Sequence, residues 1–502
     1  MSTVARTLPP GILPVVAIDR ASSKPLYKQL YEGYRNAIVE RRLSGGQRLP
    51  STRSLAAELR ISRIPVLGAF EQLLAEGYFE SRPGAGTFVA RSLPDVHPRT
   101  TGPSALGDPP VQVDPGPRTV ARRPAEVLLN EEPGPWTLGL EPFQCPSPPV
   151  DRFPTKVWSA LVARHSRRFD PGQLHYHRDP MGLQALRETV AQYLRSSRAV
   201  RCDAGQIMVV SGSQQALDIA SRVLLDDGSP VWIEEPGYWG ARHALMMAGA
   251  RLVPVAVDGE GLDVEAGIAS CPRPRAVYVT PSHQLPLGMT MSASRRLKLL
   301  DWARRRGVWI IEDDYDGEYR YGNLPVASLQ GLDRDARVIY IGTFTKSLFP
   351  AIRLGYIVVP PDLVAPFVAV RRAMDMFSPP FIQSVLADFI EEGHFERHLR
   401  RTRSLCRQRR RALIAALDEQ LGSVLRVIGD EAGMFLTTVL EKGRRDRDVA
   451  GRAALQGVRT FPLSECYMGK ARRQGLVLGY GGFTEKELVD GVARLRAVLD
   501  AG

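Results

Sequence analysis

The sequence has few of the features that mark secreted or membrane proteins. Its 502 residues include five cysteines, which lie far apart without a Cys-x-x-Cys pair (Cys145, Cys202, Cys271, Cys406 and Cys466). An odd number of scattered cysteines argues against a disulfide framework and against a zinc knuckle. No stretch of 18 residues is free of charges and prolines, and the N-terminus lacks the apolar run of a signal peptide. We therefore expect a cytoplasmic protein with no membrane segment.

Lysine is also scarce. Only eight of the 66 basic side chains are lysines (Lys24, Lys28, Lys156, Lys298, Lys346, Lys442, Lys470 and Lys486). The other 58 are arginines, which stay protonated and cannot act as amine nucleophiles. Any chemistry that needs a neutral amine therefore has few candidates in this chain, although its net charge is +12.

Length and composition predict three segments. A chain of 502 residues is longer than one hydrophobic core usually organises, and 44% hydrophobic with 24% charged residues excludes disorder throughout. Residues 20–92 have the pattern of a compact helical domain that ends in a hairpin. Residues 93–127 are rich in proline and predict a semi-extended linker, in which Arg118, Arg122 and Arg123 are solvated or touch nucleic acid.

The third segment, residues 128–502, alternates helical patterns with short runs rich in β-branched residues. Seven such runs occur (207–210, 231–233, 252–255, 276–279, 308–311, 338–341 and 355–359). Strands that are apolar on both faces and separated by helices predict an α/β domain with a mostly parallel sheet covered on both sides.

The first segment has the pattern of a helix-turn-helix. Residues 26–41 form an amphipathic helical pattern, a second helix opens near Ser51, and Ser62 is placed to cap a third helix that runs to about Glu76. Pro65 falls in the first turn of that third helix, where its missing N–H has no partner to lose. Two short helices joined by a tight turn predict that the second of them lies in a DNA major groove.

The candidate DNA-binding residues lie at the starts of these two helices and in the following hairpin (Arg53, Ser62, Arg63, Ile64, Gly84, Gly86 and Thr87). Arg53 is expected to point toward a phosphate or a guanine, and the hairpin glycines allow a backbone to approach DNA closely. The spacing alone also fits a small helical module that binds another protein.

Lys346 has the most informative surroundings of the eight lysines. It follows an apolar strand, lies among small hydroxyl residues and precedes Arg353 by seven positions. Burial disfavours an ammonium ion, so a buried lysine can offer a neutral amine that forms an imine with an aldehyde. Thr343 and Arg353 would then bind an anionic group on that aldehyde. A surface lysine after an edge strand is the alternative.

Two other segments suggest parts of the same site. Ser211, Gly212 and Ser213 lie where a strand gives way to a helix, and backbone N–H groups at such a turn can bind a phosphate. Residues 312–316 place four carboxylates at the carboxyl end of a buried strand. Their charges repel unless something cationic lies among them, although a magnesium site or a helix cap would also explain them.

Residues 25–89 resemble a GntR-type winged helix. The matching segments are spread over the whole domain (Pro25-Leu26-Tyr27, Leu49-Pro50-Ser51, Arg53, Leu55-Ala56, Ser62-Arg63, Val66, Glu76-Gly77 and Gly84 to Val89). The resemblance implies a DNA-binding domain whose partner is a double-stranded operator. Pro65 replaces a polar residue common in that family, so base recognition there is expected to be apolar or absent.

The region from about residue 140 to the C-terminus resembles the fold-type I enzymes that use pyridoxal 5'-phosphate (PLP), the aspartate aminotransferase superfamily. The phosphate turn, the acidic strand end and the lysine occur in the superfamily's order, together with residues 235–238 and the Pro-Ser-His-Gln segment at 281–284. The combination with a GntR-type head and a proline-rich linker is similar to the MocR/GabR family of regulators. The resemblance implies a large part at about 180–390 and a small part formed by 391–502 with the segment before 180.

This resemblance implies roles for individual residues. Lys346 corresponds to the lysine that forms a Schiff base with PLP, and Asp313 to the partner of the pyridinium nitrogen. Tyr315, with His283 or Gln284 nearby, would bind the phenolic oxygen. Tyr238 would stack on the ring face, and Tyr176 would reach in from a second subunit. The residues expected to bind the phosphate are Ser211, Gly212, Ser213, Thr343 and Arg353.

Two positions depart from the superfamily. Val477 aligns with an arginine that clamps the substrate carboxylate in aminotransferases of this fold, and valine cannot make that contact. Arg472 and Arg473 are the nearby arginines that could substitute for it. Leu287 stands where a small hydroxyl residue is usual. We therefore expect the amine-binding machinery to be intact and turnover with common amino acids to be poor.

The arginine-rich run over residues 397–411 predicts either a solvated helix face or a surface that contacts phosphates of the DNA backbone. His394 and His398 have the spacing of zinc ligands, but no third ligand is evident, so we expect no metal.

Three functions fit these observations. The protein could be a homodimeric regulator that senses an amine or amino acid, a regulator that senses PLP itself, or a working aminotransferase that carries a DNA-binding head.

Overall fold

The computed structural model describes residues 18–20, 22–92, 121–128, 141–144, 148–168, 175–176, 179–322, 327–429, 432–441 and 443–501. The chain divides into two compact units, residues 1–118 and 119–502. The exact boundaries of the domains and of the linker remain predictions.

The first unit is a winged helix. Three helices are followed by an antiparallel hairpin: α1 (Leu26–Val39), α2 (Thr52–Glu58), α3 (Arg63–Ala75), β1 (Phe79–Arg82) and β2 (Gly86–Val89). The rings of Tyr34, Phe70 and Phe79 meet edge to face at 5.0 to 5.7 Å and fill the centre of the core. Ser62 lies at the N-cap position of α3, as the sequence predicts, although its side chain makes no capping hydrogen bond. Ser51 caps α2, its side chain accepting from the Ser54 N–H.

The second unit contains two sheets with helices around them. Its elements, in chain order, are α4 (Arg122–Leu128), α5 (Thr155–Arg167), α6 (Gln184–Arg198), β3 (Ile207–Val210), α7 (Ser213–Leu224), β4 (Pro230–Glu235), α8 (Trp239–Met247), β5 (Arg251–Asp258), β6 (Gly261–Leu262), α9 (Val264–Ser270), β7 (Ala276–Val279), α10 (Ala293–Arg306), β8 (Trp309–Asp314), α11 (Leu329–Leu332), β9 (Val338–Thr343), α12 (Phe344–Ser347), β10 (Gly355–Val358), α13 (Val364–Met374), α14 (Pro380–Glu391), α15 (His394–Leu421), β11 (Leu425–Ile428), β12 (Phe435–Leu440), α16 (Asp446–Leu455), β13 (Phe461–Pro462), β14 (Gly475–Gly479) and α17 (Glu485–Asp500).

The larger sheet has eight strands in the order β3-β10-β9-β8-β7-β4-β5-β6. Strands β4, β5, β7, β8 and β9 run parallel, whereas β10 is antiparallel to both of its neighbours and β6 folds back on β5. All seven predicted strands occur in this sheet. The mostly parallel α/β architecture is therefore confirmed, and its central strands are buried on both faces.

The smaller sheet is antiparallel, in the order β11-β12-β14-β13, and packs against α15, α16 and α17. Phe143 precedes the large sheet in the chain, yet it is fully buried in this core and bridges to Gly479 on β14. The chain around Phe143 thus contributes to the core of the small sheet, whereas α5 packs against α14.

The prediction of a semi-extended chain is wrong for the last residues of the linker. Residues 122–128 form α4, which packs on α8, and Arg123 forms an ion pair with Asp227 while remaining partly exposed. Pro124 lies in the first turn of α4, where it does not interrupt a helix. Arg118 and residues 93–120 lie outside the described part of the chain.

The arginine-rich run lies on α15, and it is not uniformly solvated. Arg409 is buried and donates to the Gly481 carbonyl, Arg403 donates to the Glu318 carbonyl, and Arg410 lies over the Tyr321 ring. Several others, such as Arg400, are exposed. Among the described residues, no helix is long and apolar enough to span a membrane.

Candidate functional site

A cradle forms at the turn between β3 and α7. Gly212 has φ +122°, and a Cβ atom placed there would lie 3.7 Å from the guanidinium of Arg353. The guanidinium therefore lies over the glycine backbone at the N-terminus of α7, where unpaired N–H groups favour an anion. Ser211 donates from its backbone N–H and its hydroxyl to Gln215, at 2.8 and 3.1 Å, which holds the turn in place. Ser213 begins the helix.

Lys346 lies on the short helix that follows β9, and β9 is separated from β3 by β10 in the sheet. Thr343 ends β9 and caps the short helix α12, its Oγ1 accepting from the Thr345 N–H at 3.1 Å. This cap turns the chain so that half-buried Lys346 follows directly. Tyr319 donates to the backbone carbonyl of Lys346 at 3.4 Å, and His398 on α15 is hydrogen-bonded to the next residue, Ser347.

The four carboxylates at the end of β8 have different partners. Glu312 accepts from the backbone N–H groups of residues 329 and 330 at 2.8 and 2.9 Å. Asp314 is paired with the buried guanidinium of Arg198. Asp316 lies 2.8 Å from Nδ1 of His283. The cation required by this cluster is thus supplied by the protein, and the described residues contain no group of three His, Cys, Asp or Glu side chains able to hold a metal ion.

Asp313 has neither backbone N–H groups nor a cationic side chain as its hydrogen-bond partner, although Asp314 and Asp316 each also have one oxygen without a partner. It is 2% exposed, and its Oδ2 accepts from the Tyr278 hydroxyl at 2.9 Å, while its Oδ1 has no hydrogen-bond partner. Burial raises the pKa of Asp313 to about 7, and the hydrogen bond from Tyr278 and the charge of Lys346 oppose that rise. A buried carboxylate with a free oxygen can accept a proton or a hydrogen bond from a bound group.

Tyr238 lies between the acidic strand end and the cradle. It precedes α8, and its hydroxyl accepts from Gln214 at 3.0 Å. Burial raises the pKa of Tyr238 to about 12, as does the charge of Asp313, and the charge of Arg353 opposes this. Both charges therefore act on the same phenol, whose hydroxyl also contacts the first turn of α7 through Gln214.

Tyr315 and His283 form a second aromatic pair beside Asp313. Tyr315 donates to the backbone carbonyl of His283 at 3.0 Å, and its hydroxyl is 3.2 Å from His283 Nδ1. His283 is buried against Phe435, with ring centroids 4.6 Å apart. A Cβ atom at Gly433 would overlap the His283 ring, so a glycine is needed there.

Two residues that were predicted to contact the cofactor do not join this group of side chains in the structure. Gln284, given as an alternative to His283, instead closes its own loop, donating to the Pro236 carbonyl and accepting from the Leu287 N–H at 2.9 Å each. Tyr176 is 78% exposed, with its ring 6.5 Å from that of Phe377. Its contact with a second subunit stays a prediction.

Sequence reasoning missed several supporting side chains. Tyr278, Gln214 and the Arg371–Gln215 pair hold the predicted residues in place, with Arg371 donating to Gln215 at 2.8 Å. The only available signal was a polar side chain within a buried strand or at a helix start, which is weak. Nor do the zinc-spaced histidines converge, since His394 contacts Glu392 and Arg397 while His398 is buried near Phe153.

The winged helix presents the predicted DNA-binding residues on its surface. Arg53, Ser62 and Arg63 are exposed, and Ile64 is 81% exposed at the start of α3. Arg63 donates to the Thr52 hydroxyl at 3.1 Å, which joins the starts of α2 and α3.

The tip of the wing is formed by glycines. Gly84 and Gly86 have φ values of +74° and +109°, which L side chains rarely adopt, and both are exposed. Thr87 is half-buried, and its carbonyl accepts from the Leu49 N–H at 2.9 Å.

Comparisons with known proteins agree with both units. Residues 26–89 match the bacterial regulatory proteins of the gntR family, and residues 153–472 match aminotransferase class I and II. The chain is 39% identical over 485 residues to the probable rhizopine catabolism regulatory protein MocR of Rhizobium meliloti, covering 97% of this chain and 96% of that one. It is 29% identical to the pyridoxine biosynthesis transcriptional regulator PdxR of Corynebacterium glutamicum, covering 94% and 96%.

Among solved structures, the body resembles the α-aminoadipate aminotransferase LysN of Thermus thermophilus, complexed with N-(5'-phosphopyridoxyl)-L-leucine. The TM-score is 0.67 at 29% identity, over 76% of this chain and 95% of that chain.

The residues present fit PLP. The Arg353 guanidinium and the backbone N–H groups at the start of α7 offer the cation and donors that a dianionic phosphate needs, and the unpartnered Oδ1 of Asp313 can accept from a pyridinium nitrogen. The fold and site define a PLP-binding, aminotransferase-like body joined to a GntR-type DNA-binding head, and thus a transcriptional regulator. The chain belongs to the MocR family of these regulators.

Proposed function

We propose that the protein acts in the cytoplasm as a homodimer that binds an operator through its winged helix and senses PLP, or an amine bound to PLP, through its body. The observation that carries this proposal is the site formed by the buried Asp313 carboxylate, with its unpartnered Oδ1, and by the Arg353 guanidinium over the Gly212 backbone. It has a negative group at one end and a cationic cradle at the other, as a ring with a protonated nitrogen and a phosphate requires.

The residues assigned to the cofactor divide by the part they hold. Ser211, Gly212, Ser213, Thr343 and Arg353 bind the phosphate. Asp313 holds the proton on the ring nitrogen, and Tyr238 covers the ring face. The Tyr315 hydroxyl, which in the structure donates to the His283 carbonyl, turns to donate to the phenolic oxygen instead. Bound PLP supplies an aldehyde carbon that primary amines attack. Lys346 is the chain's own amine at this position, and an effector amine competes with it.

The experiment that tests this function measures operator affinity. PLP alone, and then PLP with amines, is added to the full-length cofactor-free protein. A large change with PLP alone supports PLP sensing, and a change only with an added amine supports amine sensing. Multiple turnovers with an amino donor and a 2-oxo acid would favour an aminotransferase, and the presence of Val477 makes us expect few or none.

In the head, Arg63→Ala is expected to weaken operator binding roughly 5- to 150-fold, because a good base contact by an arginine contributes about 1–3 kcal/mol. Arg42→Ala is the matched control, since Arg42 is exposed but pairs with Glu40 away from the start of α3. Fluorescence anisotropy with a labelled operator at fixed salt measures both variants. Equal losses for the two would show that Arg63 contributes only general charge.

Helix α4 offers a route from the body toward the head. It is formed by the last residues of the predicted linker, and it packs on α8, the helix that begins directly after Tyr238. Arg123 on α4 pairs with Asp227 on the body. We therefore propose that movement of α8 on ligand binding is transmitted through α4.

Arg123→Glu replaces the attraction to Asp227 with repulsion. Since such an exposed pair contributes at most about 1 kcal/mol, we expect the effector-induced change in operator affinity to fall by up to about fivefold. Cofactor absorbance should not change. Arg122→Glu is the control, because Arg122 pairs with Glu126 within α4. A full response in the Arg123 variant would contradict this route.

A further inference from the structure

An apolar wall adjoins the proposed cofactor site. Leu285, Tyr315, Phe435 and Val477 form one buried cluster, and Val477 is 3% exposed. The partly buried rings of Tyr238, Trp239 and Phe461 pack against it, and the last two stack with centroids 4.7 Å apart. Because Tyr238 and Tyr315 belong to both the wall and the proposed site, a ligand attached at the aldehyde carbon would extend along this wall.

The wall is held in position by the small sheet. Val477 on β14 pairs with Thr437 on β12 and with Phe461 on β13. Thr437 donates to the carbonyl of Pro286, in the loop that carries His283 and Leu285. Val477 therefore has a fixed place opposite that loop, at the position where the superfamily has its carboxylate-binding arginine.

The arginines traced near this wall in the described part of the chain have other partners. Arg242 is buried and donates to the carbonyls of Cys466 and Tyr467. Arg472 and Arg473 are exposed and act on Tyr467, which packs in a different cluster with Leu287 and Leu463. Neither candidate substitute thus joins the cluster around Val477.

We propose that the effector is a primary amine that lacks a carboxylate group and has an uncharged, largely apolar body. This inference rests on the proposed function. A carboxylate held against Val477 and Phe435 would lose its hydration without gaining a cation, which is unfavourable, whereas an apolar body is stabilised by the same contacts. The effector's nitrogen forms a C=N bond with the aldehyde carbon as the bond to Lys346 Nζ breaks. Lys346 leaves as the free amine, and nothing is oxidised or reduced.

The test compares pairs of ligands that differ only in the carboxylate. PLP-loaded full-length protein is titrated with 2-phenylethylamine and L-phenylalanine, and separately with isoamylamine and L-leucine. Apparent affinity is read from the visible spectrum and from operator anisotropy. We expect each amine to bind at least tenfold more tightly than its amino acid. Equal or tighter binding of the amino acids would overturn the proposal, and so would the absence of a response to all four.

Val477→Arg provides a second test, with an expected shift of preference toward the amino acids by at least tenfold. If this variant does not fold, the wild-type comparison still decides the matter. Failure of the proposed function is distinguishable, because it would appear as a wild-type protein with no Lys346-dependent cofactor spectrum. A normal cofactor spectrum without the expected amine preference would contradict the inference about the effector and leave the proposed function standing.

Discussion

Lys346→Ala is expected to abolish the visible absorption band of the PLP-loaded protein and its entire response to amines. Among the described residues, Lys346 is the lysine that follows the Thr343 cap and whose charge acts on Asp313. Without its amine, the cofactor is held only by contacts to phosphate and ring, so gel filtration should remove it. Operator binding by the cofactor-free variant should equal that of the cofactor-free wild type, because the head is a separate compact unit.

Two control variants separate the loss of the imine from the loss of positive charge and from the removal of any lysine. Lys346→Arg keeps a positive charge but cannot form the imine, so it should behave like the alanine variant in its spectrum. Lys486→Ala removes an exposed lysine that pairs with Asp490 on α17, and it should leave the spectrum unchanged. Retention of the band in Lys346→Arg would mean that another amine reacts with the cofactor.

Much of the fold could be predicted from local patterns. Residues 207–210 and 276–279 are apolar throughout because both faces of those strands are covered, and both ranges match the strands observed. The N-cap positions of Ser51 and Ser62 likewise depend on neighbouring residues alone. Helix α4, at the end of the predicted linker, was missed because a proline-rich composition does not reveal a short helix that has proline in its first turn.

The candidate site was predictable in its residue types but not in its pairing. The sequence indicates that the carboxylates after β8 need cations, yet it cannot show that Asp314 meets Arg198 and Asp316 meets His283. Both contacts join residues far apart in the chain, and they depend on strand order. Only when those partners are known is Asp313 distinguished as the carboxylate of the four that lacks an arginine, histidine or backbone N–H partner.

The same pairing explains why Asp313 destabilises the folded protein before the cofactor binds. Asp313 is buried without a full set of partners, so its ionised form is disfavoured. A residue that destabilises the empty protein while completing the liganded one is typical of functional sites.

Asp313→Asn is therefore expected to have opposite effects on the empty and the PLP-loaded protein. Burial raises the pKa of Asp313 from 3.8 to about 7, so the folded state binds a proton that the unfolded state has lost between these values. The free energy of unfolding thus falls as pH rises from about 4 toward 7. Asparagine cannot ionise, and above pH 7 the empty variant should be more stable by on the order of a few kcal/mol. At pH 4 this advantage should disappear.

With PLP bound, the wild type should instead be more stable than the Asp313→Asn variant, because asparagine provides no negative charge for the ring nitrogen. Chemical denaturation across the pH range, with and without PLP, measures both effects. Glu312→Gln is the matched control: burial also raises the pKa of Glu312 to about 7, but its partners are backbone N–H groups at the start of α11. It should change the pH dependence of stability and leave cofactor retention intact. If both variants lose PLP equally, the loss reflects damage to β8, and Asp313 does not bind the ring nitrogen.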